Sequence, residues 1–257
     1  MIPAMFLAHG SPMTAIENTP FTRFLEELGR KVKPKAIVLF TAHWESEVLT
    51  ISSHDEVYDT IYDFGGFPPE LYAIKYRARG SSIVASELAR RFGAAGIQVR
   101  LDATRGLDHG AWTMLHRMYP QADIPVVQVS VNPFLPMREQ YRIGEALRGL
   151  DEQDILVIGS GVTVHNLRRV NFDDRFGEPE SWAYEFDEWL IEHIRTGDFD
   201  SLFRVMELAP HARLAVPRPE HFVPLFIAMG SGNPDRKPEI LHRSYEFGTL
   251  SYLSLQF

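Results

Sequence analysis

Short, almost uninterrupted apolar runs alternating with helical patterns constrain this chain more than any other feature. Ile2–Ala8, Ala36–Thr41, Pro125–Val131 and Ile155–Ile158 are such runs, several rich in β-branched residues. A strand that is apolar on both sides must be covered on both sides, as in a sheet flanked by helices. The segments between carry the matching pattern. Phe21–Val32 has helical spacing at Phe21, Phe24, Leu25 and Leu28, with Thr19 before Pro20 as its cap. Ser81–Gly96 is an amphipathic helix capped by Ser81, supported by the pair Glu87 and Arg91 and closed by glycine. Further helices are expected from about Met137 to Leu150, over Ser181–Arg195, and from Pro219 to Met229. Val48–Ser53, Tyr72–Tyr76, Ile97–Leu101, Ile240–Ser244 and Thr249–Leu255 read as additional strands. No repeat, linker or low-complexity segment divides the 257 residues. The expected fold is a single-domain α/β/α sandwich with a central mixed β-sheet, spanning 1–257.

Composition narrows the chemistry. The chain has no cysteine, which excludes disulfides, thiolate metal sites, iron–sulfur clusters and a cysteine nucleophile. A formal charge of −8 argues against a general nucleic-acid partner. The cluster Arg168, Arg169 and Arg175 reads either as solvated surface or as a seat for an anionic substrate. The first residues lack a basic leader, and no apolar stretch approaches the ~20 residues that span a bilayer. A soluble, cytoplasmic protein with no membrane partner is therefore expected. Gly159-Ser160-Gly161 follows a strand but lacks the third glycine and the lysine of phosphate-binding loops. Ser11, in His9-Gly10-Ser11-Pro12, does not sit in a nucleophile-elbow pattern.

Metal chemistry here must come from His, Asp and Glu. His9, His43 and His165 each follow a buried strand, directly or after a short glycine-containing turn. Loops at the carboxyl ends of strands gather ligands in α/β folds, so histidines far apart in sequence can converge there. His109 lies in the loop Leu107-Asp108-His109-Gly110, and His221 at the first turn of a helix, behind Pro217 and Pro219. Each also has a purely structural reading. A strand-end histidine can simply orient a loop, Asp108 can steady His109 in a turn, and Glu220 is a sensible helix N-terminal acid. His54, His116, His193, His211 and His242 have no comparable setting and read as structural or surface residues.

Five segments in order carry a resemblance: His9-Gly10-Ser11-Pro12, Thr41-Ala42-His43-Trp44-Glu45, Leu107-Asp108-His109-Gly110-Ala111-Trp112, Gly159-Ser160-Gly161 to His165-Asn166-Leu167, and Pro219-Glu220-His221-Phe222-Val223-Pro224-Leu225. Together they resemble the class III extradiol ring-cleavage dioxygenases, in the branch similar to DOPA 4,5-extradiol dioxygenase. The resemblance implies a single catalytic domain over 1–257 and one divalent metal per chain. It implies His9 and His43 as ligands and His221 as the third, with Glu220 as the alternative. His165 matches either a further metal ligand or the catalytic base, and His109 a residue that contacts substrate and reactive oxygen. The implied reaction inserts O2 into a DOPA-like catechol and opens the ring to a semialdehyde, with iron(II) as the metal. Zinc is not redox-active, and its presence would signal a resting form or other chemistry. Two rival readings stand beside this one: a zinc-dependent hydrolase on the same scaffold, and a non-enzymatic binding protein that retains the pocket. Tyr58–Pro69 and Phe172–Trp182 are the candidate lining loops, whose Tyr62, Phe64, Phe67 and Trp182 either face a ring or pack.

Overall fold

A computed structural model describes residues 1–257. Ten strands form: β1 (Met5–Ala8), β2 (Ala36–Glu45), β3 (Leu49–Ser52), β4 (Val99–Asp102), β5 (Val126–Val131), β6 (Ile155–Gly161), β7 (Glu239–His242), β8 (Tyr245–Glu246), β9 (Leu250–Ser251) and β10 (Ser254–Gln256). Eight of them make one mixed sheet in the order β4-β3-β5-β2-β6-β1-β10-β7, and β8 pairs with β9 apart from it. The central strands β5, β2, β6 and β1 are mutually parallel, whereas β10 runs antiparallel to β1 and β7. The carboxyl ends of the four parallel strands therefore share one edge.

Period-2 alternation divides the core between the two faces. Phe6, Val38, Phe40 and Val157 meet the helices Ser82–Ala94, Met137–Glu145, Ser181–Thr196 and Val223–Ser231. Met5, Leu7, Ile37, Leu39 and Ile158 meet Pro20–Lys31 and His109–Met118. Burial of each such side chain contributes roughly 1.5–3 kcal/mol, which is why the continuous apolar runs become central strands. No helix is long and apolar enough to cross a membrane. The expected α/β/α layering is what the chain adopts.

Local assignments depart from expectation in six places, the first being Thr249–Leu255, which splits into β9, paired with β8, and β10, in the main sheet. Tyr72–Tyr76 is not a strand: Pro69 opens a short helix to Ala73, and Tyr76 is then held by Thr60 Oγ1 and the Tyr119 carbonyl rather than by a ladder. The helix from Met137 ends at Glu145, followed by turns. His43 lies inside β2 rather than after it, in the stretch where pairing with β5 loses register between Phe40 and Glu45. His109 is the first residue of a helix, not a loop residue. His221 sits in the turn before Val223–Ser231, where the amides of Phe222 and Val223 bond the Pro219 carbonyl at 2.9 Å.

Candidate metal centre

The parallel topology delivers the histidines. His9 follows β1 directly, His43 occupies the irregular end of β2, and His165 lies four residues beyond β6. The His221 turn is drawn onto β6 by a bond from the Val162 amide to the His221 carbonyl, 2.8 Å. Gly161 makes that approach possible, since a Cβ there would lie 2.1 Å from the same carbonyl oxygen. Gly110 does the equivalent for His43, whose Cδ2 would lie 2.7 Å from an added Cβ. The His43 backbone, outside a regular ladder, is clamped at both ends. Its amide donates to Thr41 Oγ1 at 3.2 Å and its carbonyl accepts from Arg105 Nη2 at 3.2 Å. Buried Asp108 joins the two clamps, accepting from Thr41 Oγ1 at 2.7 Å and from Arg105 at 3.0 Å.

Three imidazoles form a nearly equilateral triangle: ring centroids are 4.9 Å apart for His9 and His43, 5.1 Å for His9 and His221, and 4.9 Å for His43 and His221. Two of them are anchored through Nδ1, and the third has a carboxylate near it. His9 Nδ1 meets Ser160 Oγ at 3.1 Å, and that hydroxyl already donates to the Gly110 carbonyl, so it accepts from the ring. His221 Nδ1 lies 3.1 Å from Glu220 Oε1, and His43 Nδ1 lies 3.4 Å from Asp63 Oδ2. A proton fixed on Nδ1 leaves the Nε2 lone pair for a ligand. His9 Nε2 and His43 Nε2 stand 3.1 Å apart. Two donors about 2.1 Å from one ion, at a right angle, would be separated by about 3.0 Å. Ligand nitrogens of His9, His43 and His109 lie within 4.8 Å of one another, as do the ligand atoms of His165, Glu220 and His221, so the donors gathered here fit a divalent metal.

The remaining two histidines flank the triangle. His109 packs 3.9 Å from His43, its amide donating to Asp63 Oδ1 at 3.0 Å. Its Nδ1 is 2.9 Å from the same oxygen, but out of line for a hydrogen bond. Asp108, expected to steady this ring, instead serves Thr41 and Arg105. His165 stacks on His221 at 3.9 Å with planes 15° apart. Lone pairs lie in the ring plane, so the two stacked rings do not converge on one ion. Glu220 backs His221 and faces an adjoining groove, not the histidine pocket.

Electrostatics favour neutral rings. Burial, then the neighbouring His43, His221, His109 and His165, hold His9 well below the ordinary imidazole range. Burial, followed by His109 and His221, lowers His43 to about 2; burial, followed by His221, lowers His165 to about 3. Asp63 is pushed up by burial, yet its contacts with His109, joined by His43, win and leave it at about 2.

All five histidines line one cavity of about 250 Å³, walled by Phe67, Val162, Leu167, Leu250 and Tyr252. Phe67 comes from the first of the two expected lining loops. The second, Phe172–Trp182, contributes nothing to this wall; the C-terminal segment Leu250–Tyr252 takes its place. Phe64 packs edge-on to His109 at 5.6 Å, and Tyr62 and Trp182 pack in the core layers. Sequence reasoning missed Asp63, Ser160 and Arg105 as supporting residues and gave Asp108 the wrong partner. The only signal for any of them is the Gly-Ser-Gly run, whose serine serves a histidine rather than a nucleotide.

Comparison with known proteins gives a consistent outcome. The family model described as the catalytic LigB subunit of aromatic ring-opening dioxygenase matches residues 2–257. A 4,5-DOPA dioxygenase extradiol of Beta vulgaris is 41% identical over 257 residues, covering 98% of this chain and 95% of the relative. Its Escherichia coli K12 counterpart is 36% identical, covering 99% and 94%. A crystal structure of an uncharacterized Escherichia coli K12 protein superimposes with a TM-score of 0.85 at 33% identity, covering 100% of both chains.

Proposed function

This chain belongs to the LigB, or class III extradiol dioxygenase, family, in its DOPA 4,5-dioxygenase-like branch, and from that premise we propose that it cleaves a catechol ring beside the diol, using O2 and iron(II). The observation that carries the reading is the triangle of His9, His43 and His221, with carboxylate or hydroxyl oxygens beside each Nδ1 and the Nε2 atoms of His9 and His43 3.1 Å apart. These three residues would hold the metal. Bound there, iron(II) supplies Lewis acidity to the catechol oxygens and electrons for dioxygen.

The chain's own residues do the rest. Phe67, Val162, Leu167, Leu250 and Tyr252 give the ring an apolar lining. His165 takes a proton from a catechol hydroxyl; its stack on His221 speaks for this role over that of a ligand. His109 donates to oxygen as charge develops. Asp63 supports that role, because a carboxylate 2.9 Å from Nδ1 stabilises the positive charge of a donor imidazole. Glu220 and Asp63 fix ligand direction rather than bind the ion. A DOPA-like catechol is the proposed substrate class.

The test is oxygen uptake and visible absorbance when catechols, DOPA included, are added to protein loaded anaerobically with iron(II). Uptake with a yellow semialdehyde is the expected result. No uptake across the panel, together with zinc-dependent ester hydrolysis, would replace the dioxygenase with the hydrolase.

A further inference from the structure

The histidine cavity, at about 250 Å³, is small beside the roughly 300–1,000 Å³ of typical ligand pockets. It has room for a ring but little for a long substituent. Through His165 and Leu167, which line both, it adjoins a second cavity of about 540 Å³ bearing Arg168, Arg169 and Arg218.

The second cavity is a shaped feature, not a set of loose side chains. Buried Asn166 ties the turn down: its Nδ2 donates to the Leu214 carbonyl at 2.8 Å, and its Oδ1 accepts from the Arg168 amide at 3.1 Å. The Arg169 amide closes the turn on the Asn166 carbonyl at 3.0 Å. Arg218, between Pro217 and Pro219, is held by Glu45 Oε2 at 2.6 Å and stands 3.6 Å from Glu220. Its charge is thereby matched. Arg168 and Arg169 have no carboxylate partner, so two free guanidinium groups face this groove in a chain of formal charge −8. A planar guanidinium fork matches a carboxylate.

We propose that this groove is a subsite for a carboxylate carried on a short chain by the aromatic substrate, with Arg168 and Arg169 as its binding residues. The proposal rests on the dioxygenase reading for the identity of the ring, and deepens it by selecting anionic over neutral catechols. Because the guanidinium groups are exposed, the expected preference is modest, about five- to tenfold.

The experiment measures binding of 3-(3,4-dihydroxyphenyl)propanoate and of its methyl ester to zinc-loaded protein, which cannot turn over by redox chemistry. Titration calorimetry at low and high salt gives the ratio of the two Kd values. The expected result is tighter binding of the acid by wild type, falling toward parity in Arg168→Gln/Arg169→Gln and at high salt. No preference in wild type, no binding of either compound, or a preference that survives the double substitution would overturn the subsite. Failure of the iron-loaded wild type to cleave any catechol would sink the dioxygenase reading separately, since the acid preference is read without turnover.

Discussion

His9 and His221 take their direction from one atom at Nδ1, so the partner is as testable as the ligand. Removing a ligand comes first: His9→Ala or His43→Ala is expected to abolish metal binding, and full occupancy by elemental analysis would refute the assignment. Ser160→Ala is the subtler change. It removes the oxygen that fixes the His9 tautomer at 3.1 Å, and should weaken metal affinity about 10- to 100-fold in competition with a chromophoric chelator. An unchanged affinity would make Ser160 a packing residue only. His109→Ala should keep the metal and lose about 10²- to 10⁴-fold in turnover, as expected for a lost proton donor. At this scale sequence was a partial guide. The histidines stood out by their strand-end setting, but Asp63 reaches His109 across 46 residues and left no local trace.

At the scale of elements, function depends on how closely β6 and the His221 turn approach. Gly161→Ala would thrust a Cβ to 2.1 Å from the His221 carbonyl oxygen. The expected cost is about 1–3 kcal/mol of overpacking, accompanied by weaker metal binding because the turn carries a ligand. Thr19→Ala is the contrasting change. It breaks the capping box with Thr22 at the start of Pro20–Lys31, which lines no part of the histidine cavity, and should cost about 1 kcal/mol in chemical denaturation with metal affinity intact. Equal effects of both changes on metal affinity would argue against a special role for Gly161. Caps and amphipathic faces were legible because their causes are local: Thr19, Ser81 and the Glu87–Arg91 pair act within one helix. Tyr72–Tyr76 misled because its apolar residues pack without a ladder.

At the scale of the whole molecule, five imidazoles share one cavity, and burial lowers the pKa of three of them, His9, His43 and His165. His43 at about 2 and His165 at about 3 lie below the ordinary value of 6.5 that they regain on unfolding. The unfolded chain therefore binds more protons through that interval. Their contribution to stability is fully present above about pH 6.5 and is lost as pH falls toward 3. Denaturation of metal-free wild type between these limits should show that slope, and it should flatten in His43→Gln. A slope identical in both would mean that other groups govern acid unfolding. What the sequence determined by itself was the layered α/β fold and the identity of the histidines, because apolar periodicity and strand-end position are written in neighbouring residues. Tertiary structure alone decided which histidines form the triangle, which stacks aside, and which oxygens aim them. Those relations join segments up to 212 residues apart, as His9 and His221 are, and arise only when parallel strands bring their carboxyl ends to one edge.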